Sequence, residues 1–304
     1  PPKPRRDPKY KPSYQPNFAR DAALAIGSTL REYALLIRLH RPIGIWLLMW
    51  PALWALWIAG QGLPDQRVLM LFLAGIFVMR SAGCVINDYA DRDFDPLVER
   101  TRNRPLAAKR VAPGEALVLF VVLGLVAIWL AMQLDPLARL YAVAGGLLAV
   151  TYPWLKRFVY LPQFYLGVAF GWSIPMAFAA ITGEVPRIAW LLVAAVVLWA
   201  AVYDTMYAMV DRKDDLRIGI KSTAILFGDA DRVVTGAMQL MALFALWLVG
   251  DEALLGLWYR AGLAAGAAFF AYQQWLIRDR EPQACFRAFN NNHYFGLVVF
   301  VGLA

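Results

Sequence analysis

Long apolar runs recur along almost the whole chain, and they constrain its fold more than any other feature. About 60% of the residues are hydrophobic and 17% are charged, whereas a soluble domain carries about 25% charged residues. A helix that spans a bilayer needs about 20 apolar residues, and only helices or closed barrels satisfy their backbone groups within lipid. The sequence therefore predicts an all-α polytopic membrane protein. We predict helices at 42–60, 66–87, 114–132, 137–155, 160–181, 188–210, 231–249 and 253–276, and a ninth from about Asn292.

The two ends of the chain differ from this pattern. Residues 1–28 are basic and rich in proline at their start, without an apolar segment of the signal-peptide type, and we expect a disordered cytoplasmic tail. Residues 29–304 would form the membrane domain. The ninth apolar run is too short to span a bilayer unaided, unless its helix begins earlier than Asn292. Cys84 and Cys285 make no CxxC pair and indicate no disulfide framework.

Charge placement predicts the orientation. Most of the 30 Lys and Arg residues fall in segments on the same side as the tail, and the opposite side holds only Arg67, Arg139 and Arg187. Positive residues mark the cytoplasmic side of membrane proteins, so the tail is expected inside. The net charge of +8 is thus explained by topology, and we expect no nucleic-acid partner.

An acidic cluster follows the second apolar run, in the segment GCVINDYADRDFD at 83–95. Residues four apart share one face of a helix, which places Asn87, Asp91 and Asp95 in a stripe with Asp88 beside it. Like charges at this spacing repel, so the cluster requires a compensating cation.

A second acidic cluster ends the sixth apolar run, in WAAVYDTMYAMVDRKDD at 199–215. Asp204, Asp211 and Asp215 again fall on one helical stripe. Both clusters follow even-numbered runs, so they face the same compartment and could meet in space. Carboxylates in this number suit Mg²⁺, which binds one or two of them and completes its shell with water and substrate phosphates.

Basic residues surround both clusters, in the segments RTRNRP at 100–105, KR at 156–157 and KST at 221–223. Metal-binding acids mixed with Lys and Arg are typical of a diphosphate site. At a membrane surface, the simplest such ligand is a polyprenyl diphosphate. A cation transporter is the main alternative, but it should place its acids near the bilayer midplane. A phospholipid-synthesising phosphotransferase is disfavoured because its D-G-x-x-A-R motif is absent.

The two clusters, N-D-x-x-D-x-x-x-D at 87–95 and D-x-x-Y-A-x-x-D-x-x-x-D at 204–215, resemble the paired signatures of the UbiA superfamily of intramembrane aromatic prenyltransferases. Further segments are similar to the bacterial 4-hydroxybenzoate polyprenyltransferases of ubiquinone synthesis: RPIG at 41–44, RTRNRPL at 100–106, YPWLKRFVYLPQ at 152–163, GWSIPMAFAA at 171–180, DRKDDLRIGIKSTAILFG at 211–228 and ACFRAFNNNHYFGLVVFVGLA at 284–304. Lys213 stands where many relatives carry another acid.

The resemblance implies nine helices around a central, lipid-open cavity with cytoplasmic capping loops. It implies Mg²⁺-dependent transfer of a prenyl group from polyprenyl diphosphate to the ring carbon ortho to the hydroxyl of 4-hydroxybenzoate. We expect a multi-pass protein of the bacterial inner membrane, with membrane lipid around it and no obligate protein partner. Homogentisate, dihydroxynaphthoate and porphyrin remain alternative acceptors.

The residues expected to act are drawn from these motifs. The expected metal ligands are Asp88, Asp91, Asp95, Asp211 and Asp215, with Asp204 and Asn87 in support. The expected diphosphate-binding residues are Arg104, Lys156, Arg157 and Lys221, and Tyr207 is a further substrate-binding candidate. The acceptor carboxylate needs a cation, and the sequence does not choose between Arg157 and Arg38. Arg80, inside the second run, should face the protein interior, in either a structural or a substrate role.

Overall fold

The structure is a computed structural model that describes residues 18–155 and 157–304, with side chains described from residue 27 onward. The described part of the chain is helical and contains no strand. Its helices are α1 (Phe18–Leu36), α2 (Ile43–Ala59), α3 (Gln66–Ala90), α4 (Pro113–Ala131), α5 (Pro136–Leu155), α6 (Pro162–Gly171), α7 (Ser173–Thr182), α8 (Arg187–Ile218), α9 (Thr223–Phe227), α10 (Asp231–Glu252), α11 (Leu257–Leu276) and α12 (Pro282–Leu303).

Most predicted helices are found within a few residues of their expected bounds, but three differences matter. The last helix begins at Pro282, so the predicted start near Asn292 is wrong by ten residues. Helix α8 continues to Ile218, eight residues beyond the predicted end, and Gly219 stops it with a left-handed φ of 76°. The predicted boundary of the tail at residue 28 falls inside α1, while residues 1–17 lie outside the described part of the chain.

Five helical segments are long and apolar enough to cross a membrane: Gln66–Ala90, Pro113–Ala131, Pro162–Thr182, Arg187–Ile218 and Thr223–Glu252. Helix α4 illustrates their surroundings, because Val118, Leu125 and Trp129 on it are all more than 60% exposed. An apolar helix surface of this kind is compatible with lipid and not with water. The all-helical class is confirmed, and the count of nine spans stays a prediction.

From α2 onward each helix packs against the next one, and α12 packs back against α2. Helix α3 packs between α2 and α4, α8 packs between α6 and α10, and α12 packs against α2, α8 and α11. Stacked aromatic rings fill the place where α2, α8 and α12 meet. Trp54 lies 5.2 Å from Trp199 between ring centroids, and Phe295 packs against both. The Trp199 indole donates to Asn292 Oδ1 at 2.8 Å, which satisfies a buried amide.

A chain of side-chain amides joins α10, α11 and α12 inside the bundle. Gln239 Nε2 donates to Gln273 Oε1, and Gln273 Nε2 donates to Asn291 Oδ1, both at 3.0 Å. Gln274 Nε2 adds a bond to Gln239 Oε1 at 2.9 Å. Gln239 and Gln273 are almost fully buried, so this chain satisfies polar groups that lipid could not hydrate.

Small residues allow α11 and α12 to approach closely. A Cβ added at Gly262 would lie 2.7 Å from Val298 O and 3.3 Å from the Cα of Gly302. Close backbone approach through glycine is typical of helix pairs in membranes. The close contact between α11 and α12 therefore depends on Gly262 having no side chain.

We expect Gly262→Ala to destabilise the protein by about 1–3 kcal/mol, because the added methyl group forces the two helices apart. Gly124→Ala is the matched control: Gly124 lies within α4, and a Cβ there meets nothing within 4 Å. That control should be neutral or should stabilise by up to about 1 kcal/mol through helix propensity. Thermal unfolding in detergent measures both variants, and equal effects of the two would contradict the close contact.

Candidate functional site

The first acidic cluster lies at the end of α3 and in the turns after it. Helix α3 ends at Ala90, Asp91 is its C-terminal cap, and Asp95 begins a short 3-10 helix. The predicted continuous helical stripe of Asn87, Asp91 and Asp95 is therefore wrong, because the chain leaves the helix between them. Asn87 still contacts Asp91, by donating from Nδ2 to Oδ2 at 3.2 Å.

Two arginines hold the carboxylates of this cluster together. Arg104 Nη1 donates to Asp88 Oδ1 at 3.1 Å and to Asp95 Oδ2 at 2.8 Å, so a single nitrogen joins both acids. Arg38 reaches the same Asp88 oxygen from the turn after α1. The backbone of Arg38 adopts a left-handed φ of 62°, an uncommon conformation for a residue with a side chain that often marks a functional position.

Burial shapes the electrostatics of the cluster. Burial, with the neighbouring Asp88 and Asp91, raises the pKa of Asp95 to about 6, although Arg104 opposes the shift. Burial alone would lower the pKa of Arg104, but Asp88 and Asp95 hold it above its usual value.

The second cluster lies on the last turns of α8, where the helix continues past the predicted end. Arg100, from the loop between α3 and α4, donates from Nε to Asp211 Oδ1 at 2.9 Å and also contacts Asp211 Oδ2 through its terminal nitrogen. The same guanidinium bonds the Tyr207 hydroxyl and lies 4.5 Å from the centre of its ring. Arg100 is thus clamped by one acid and one aromatic residue.

One loop brings the two clusters together. Arg104 and Arg100 lie four residues apart on it, and they bind the first and the second cluster respectively. The buried hydroxyl of Thr101 donates to Asp95 O at 2.9 Å and fixes the loop between them. The two clusters are therefore adjacent. This agrees with the prediction that both of them follow helices that end on the same side.

The other predicted residues have contacts of their own. Arg157 donates to Ala90 O and stacks 5.0 Å from the Phe94 ring, with its Nε buried and without a hydrogen bond among the described residues. Lys221 donates to Phe158 O at 3.0 Å and lies 4.9 Å from the Tyr160 ring. On α8, Asp204 is partly buried and Asp215 is buried. Lys156 lies outside the described residues.

Two arginines gain a clearer place than the sequence could assign. Arg100 belongs to a run of three arginines, and no spacing rule distinguishes it from its neighbours. Arg80 passes from α3 to the backbone of α2, where a methyl group at Gly44 would overlap its guanidinium. Tyr152 lies within electrostatic range of Arg80, Asp204 and Asp91. Among the described residues, Arg80 has no hydrogen-bond or ion-pair partner.

The described acids do not form a ready-made metal centre: no three His, Cys, Asp or Glu side chains among them are grouped at ligand spacing. Their chemistry nevertheless fits a magnesium ion, which takes oxygen ligands from few carboxylates and from phosphate. Asp88 Oδ2 is buried and accepts no hydrogen bond from the described residues. Its role as a metal ligand stays a prediction.

Comparison with known proteins agrees with this arrangement. The model of the UbiA prenyltransferase family matches residues 48–298. A 4-hydroxybenzoate octaprenyltransferase of Nitrosococcus oceani is 60% identical over 272 residues, which cover 90% of this chain and 95% of the relative. A protein of the same name from Alkalilimnicola ehrlichii is 57% identical over 272 residues, which cover 90% and 93%.

Solved structures share the fold. A UbiA homologue from Aeropyrum pernix K1, in its apo form, superposes with a TM-score of 0.75 at 26% identity, over 85% of this chain and 96% of that one. A UbiA homologue from Archaeoglobus fulgidus bound to GPP and Mg²⁺ gives 0.68 at 17% identity, over 88% and 99%. The resemblance predicted from the paired aspartate motifs is confirmed, and the chain belongs to the UbiA prenyltransferase family.

Proposed function

We propose that the protein transfers a polyprenyl group from polyprenyl diphosphate to the ring carbon ortho to the hydroxyl of 4-hydroxybenzoate, and releases diphosphate. The relatives at 60% and 57% identity carry the name of this activity over nearly their whole length. The reaction belongs to ubiquinone synthesis in bacteria. We place the protein in the bacterial inner membrane, with the acidic clusters on the cytoplasmic side, as the distribution of Lys and Arg indicates.

The joined clusters of acids and arginines are the observation that carries this proposal. They lie at the ends of α3 and α8, not in the middle of the apolar segments, which favours a lipid with a charged head over a transported ion. Arginine pairs well with phosphate oxygens because its fork of donors matches them. Arg100 and Arg104 are therefore assigned to the diphosphate, beside Lys156, Arg157 and Lys221.

An apolar groove gives the prenyl chain a place to lie. It has a volume of about 770 Å³, opens outward between α5, α6 and α8, and is lined by residues that include Tyr160, Phe164 and Tyr165. Lys221 lies against the Tyr160 ring at one part of this groove. We assign the prenyl chain to this groove, with its charged head toward Lys221.

The chemistry then follows from charge. Magnesium, when bound, neutralises the diphosphate as it leaves, and we assign its ligands to Asp88, Asp91, Asp95, Asp211 and Asp215. The arginines hold the remaining phosphate oxygens. The carbon–oxygen bond breaks with its electrons on the diphosphate, which leaves an allylic cation. The electron-rich ring carbon attacks this cation, and the ring proton then passes to the released diphosphate.

Arg80 is the cation that we assign to the acceptor carboxylate. The two earlier candidates contact the part of the site that we assign to the metal and the diphosphate, since Arg38 binds Asp88 and Arg157 binds Ala90 O at the end of α3. Arg80 lies within electrostatic range of Tyr203 and Tyr152, and Asp204 acts on the same two tyrosines. A charged residue inside a membrane bundle is costly and usually functional, which supports a substrate role over a structural one.

The whole activity should depend on a divalent metal. We expect EDTA to abolish product formation from 4-hydroxybenzoate and a panel of prenyl diphosphates, and excess Mg²⁺ to restore it, because the leaving diphosphate needs charge neutralisation. Labelled 4-hydroxybenzoate measures the product. Full turnover in metal-free buffer would contradict the proposed site.

The two acidic clusters should act as one unit. Asp91→Ala and Asp211→Ala should each lower kcat/KM by on the order of 10²-fold or more. Groups of one catalytic unit are strongly non-additive, so the double variant should be little worse than the poorer single one. Steady-state kinetics on the three variants tests this, and losses that multiply would show independent sites. Asp93→Ala is a control, because Asp93 is highly exposed.

Changes at Arg80 should affect the acceptor selectively. Arg80→Gln should raise the KM for 4-hydroxybenzoate by about 10-fold or more, the usual cost of a lost charged hydrogen bond, with the KM for prenyl diphosphate changed less. Gly44→Ala should act in the same direction, because its methyl group displaces the guanidinium while the charge remains. A larger effect on prenyl diphosphate would reassign Arg80.

A further inference from the structure

The arginines that would hold the diphosphate already have partners, and these partners are the acids that would hold the metal. Asp88 binds Arg38 and Arg104, Asp95 binds Arg104, and Asp211 binds Arg100. The side chains involved are at most 21% exposed. The ligand-free site is therefore balanced internally, with cationic and anionic groups satisfying each other.

Neither ligand can bind alone without breaking this balance. A metal ion bound by Asp95 or Asp211, whose two carboxylate oxygens both accept from an arginine, would displace a guanidinium and leave it buried without its anion, which is costly. A diphosphate bound by Arg100 or Arg104 would leave the carboxylates unpaired and bring further negative charge beside them. When both arrive, each arginine can move to a phosphate oxygen and each acid to the metal, so every charge stays paired.

We propose that the divalent metal and the prenyl diphosphate bind this protein as a coupled pair, by an exchange of partners in which Arg38, Arg100 and Arg104 give up their carboxylates. The inference rests on the proposed function for the identity of the two ligands. It adds that the arginines neutralise the acids when no metal is bound. The diphosphate draws the arginines away, and the acids then become available to the metal. This accounts for the lack of a ready-made metal centre among the described acids.

The test measures binding, not turnover. Mn²⁺ replaces Mg²⁺, and its binding to the purified protein in detergent is followed by electron paramagnetic resonance. Binding of a radiolabelled, unreactive geranyl thiodiphosphate is followed separately. In the unchanged protein, each ligand should tighten the other by the same factor, as linkage requires, and this factor should lie in the usual range of about 5- to 150-fold.

Arg100→Gln separates partner exchange from simple electrostatics. It frees Asp211, so Mn²⁺ alone should bind more tightly than to the unchanged protein, and the coupling factor should fall. Arg102→Gln is the matched control, since Arg102 is exposed on the same loop and its loss changes the net charge equally. Arg102→Gln should leave both quantities nearly unchanged.

Each outcome has a distinct meaning. If both ligands bind to the unchanged protein but do so independently, the coupling is wrong and the proposed function stands. Equal effects of Arg100→Gln and Arg102→Gln on Mn²⁺ affinity would also overturn the partner exchange. If the thiodiphosphate does not bind even with Mn²⁺ present, the proposed function fails together with the inference.

Discussion

The pairing of buried carboxylates with guanidinium groups at the ends of α3 and α8 is the interaction on which the rest of the site depends. Asp88 is fully buried and Asp95 nearly so, and an unpaired charge in such a place would be too costly to keep. Arg100 and Arg104 lie on a loop whose contacts to the two clusters are mainly ionic. The same ion pairs therefore neutralise the acids, order the loop and join the end of α3 to the end of α8.

Much of the fold could be predicted from hydropathy, because lipid requires long apolar helices. The predicted helix bounds are wrong where a polar or charged segment is nevertheless helical. Helix α12 starts at Pro282 although its first half is polar. Asn291 accepts from Gln273 and Asn292 accepts from Trp199, so these polar groups are satisfied inside the bundle. Helix α8 continues through a charged segment because Lys, Arg and Leu are good helix formers, and it stops only at Gly219.

The site was predictable in its chemistry but not in its pairing. The spacing of the aspartates indicated which acids matter, because like charges on one helical face repel each other and need a compensating cation. No local pattern could distinguish Arg100 from Arg102, since their difference is made by Tyr207 and Asp211, more than a hundred residues away. The position of Arg80 likewise depends on Gly44, because the absence of a side chain at Gly44 leaves room for the guanidinium. Both are properties of tertiary contact.

The chain of amides across α10, α11 and α12 sets these three helices in a fixed register. Gln273 accepts from Gln239 and donates to Asn291, so the chain has a direction, and each member is satisfied only by neighbours of matching polarity. A slide of one helical turn along the membrane normal would break every link at once, whereas dispersion contacts between apolar faces would merely be exchanged. Apolar helix surfaces can pack in many alignments, and the hydrogen-bonded amides select one of them. We therefore expect the three helices to move as one rigid unit.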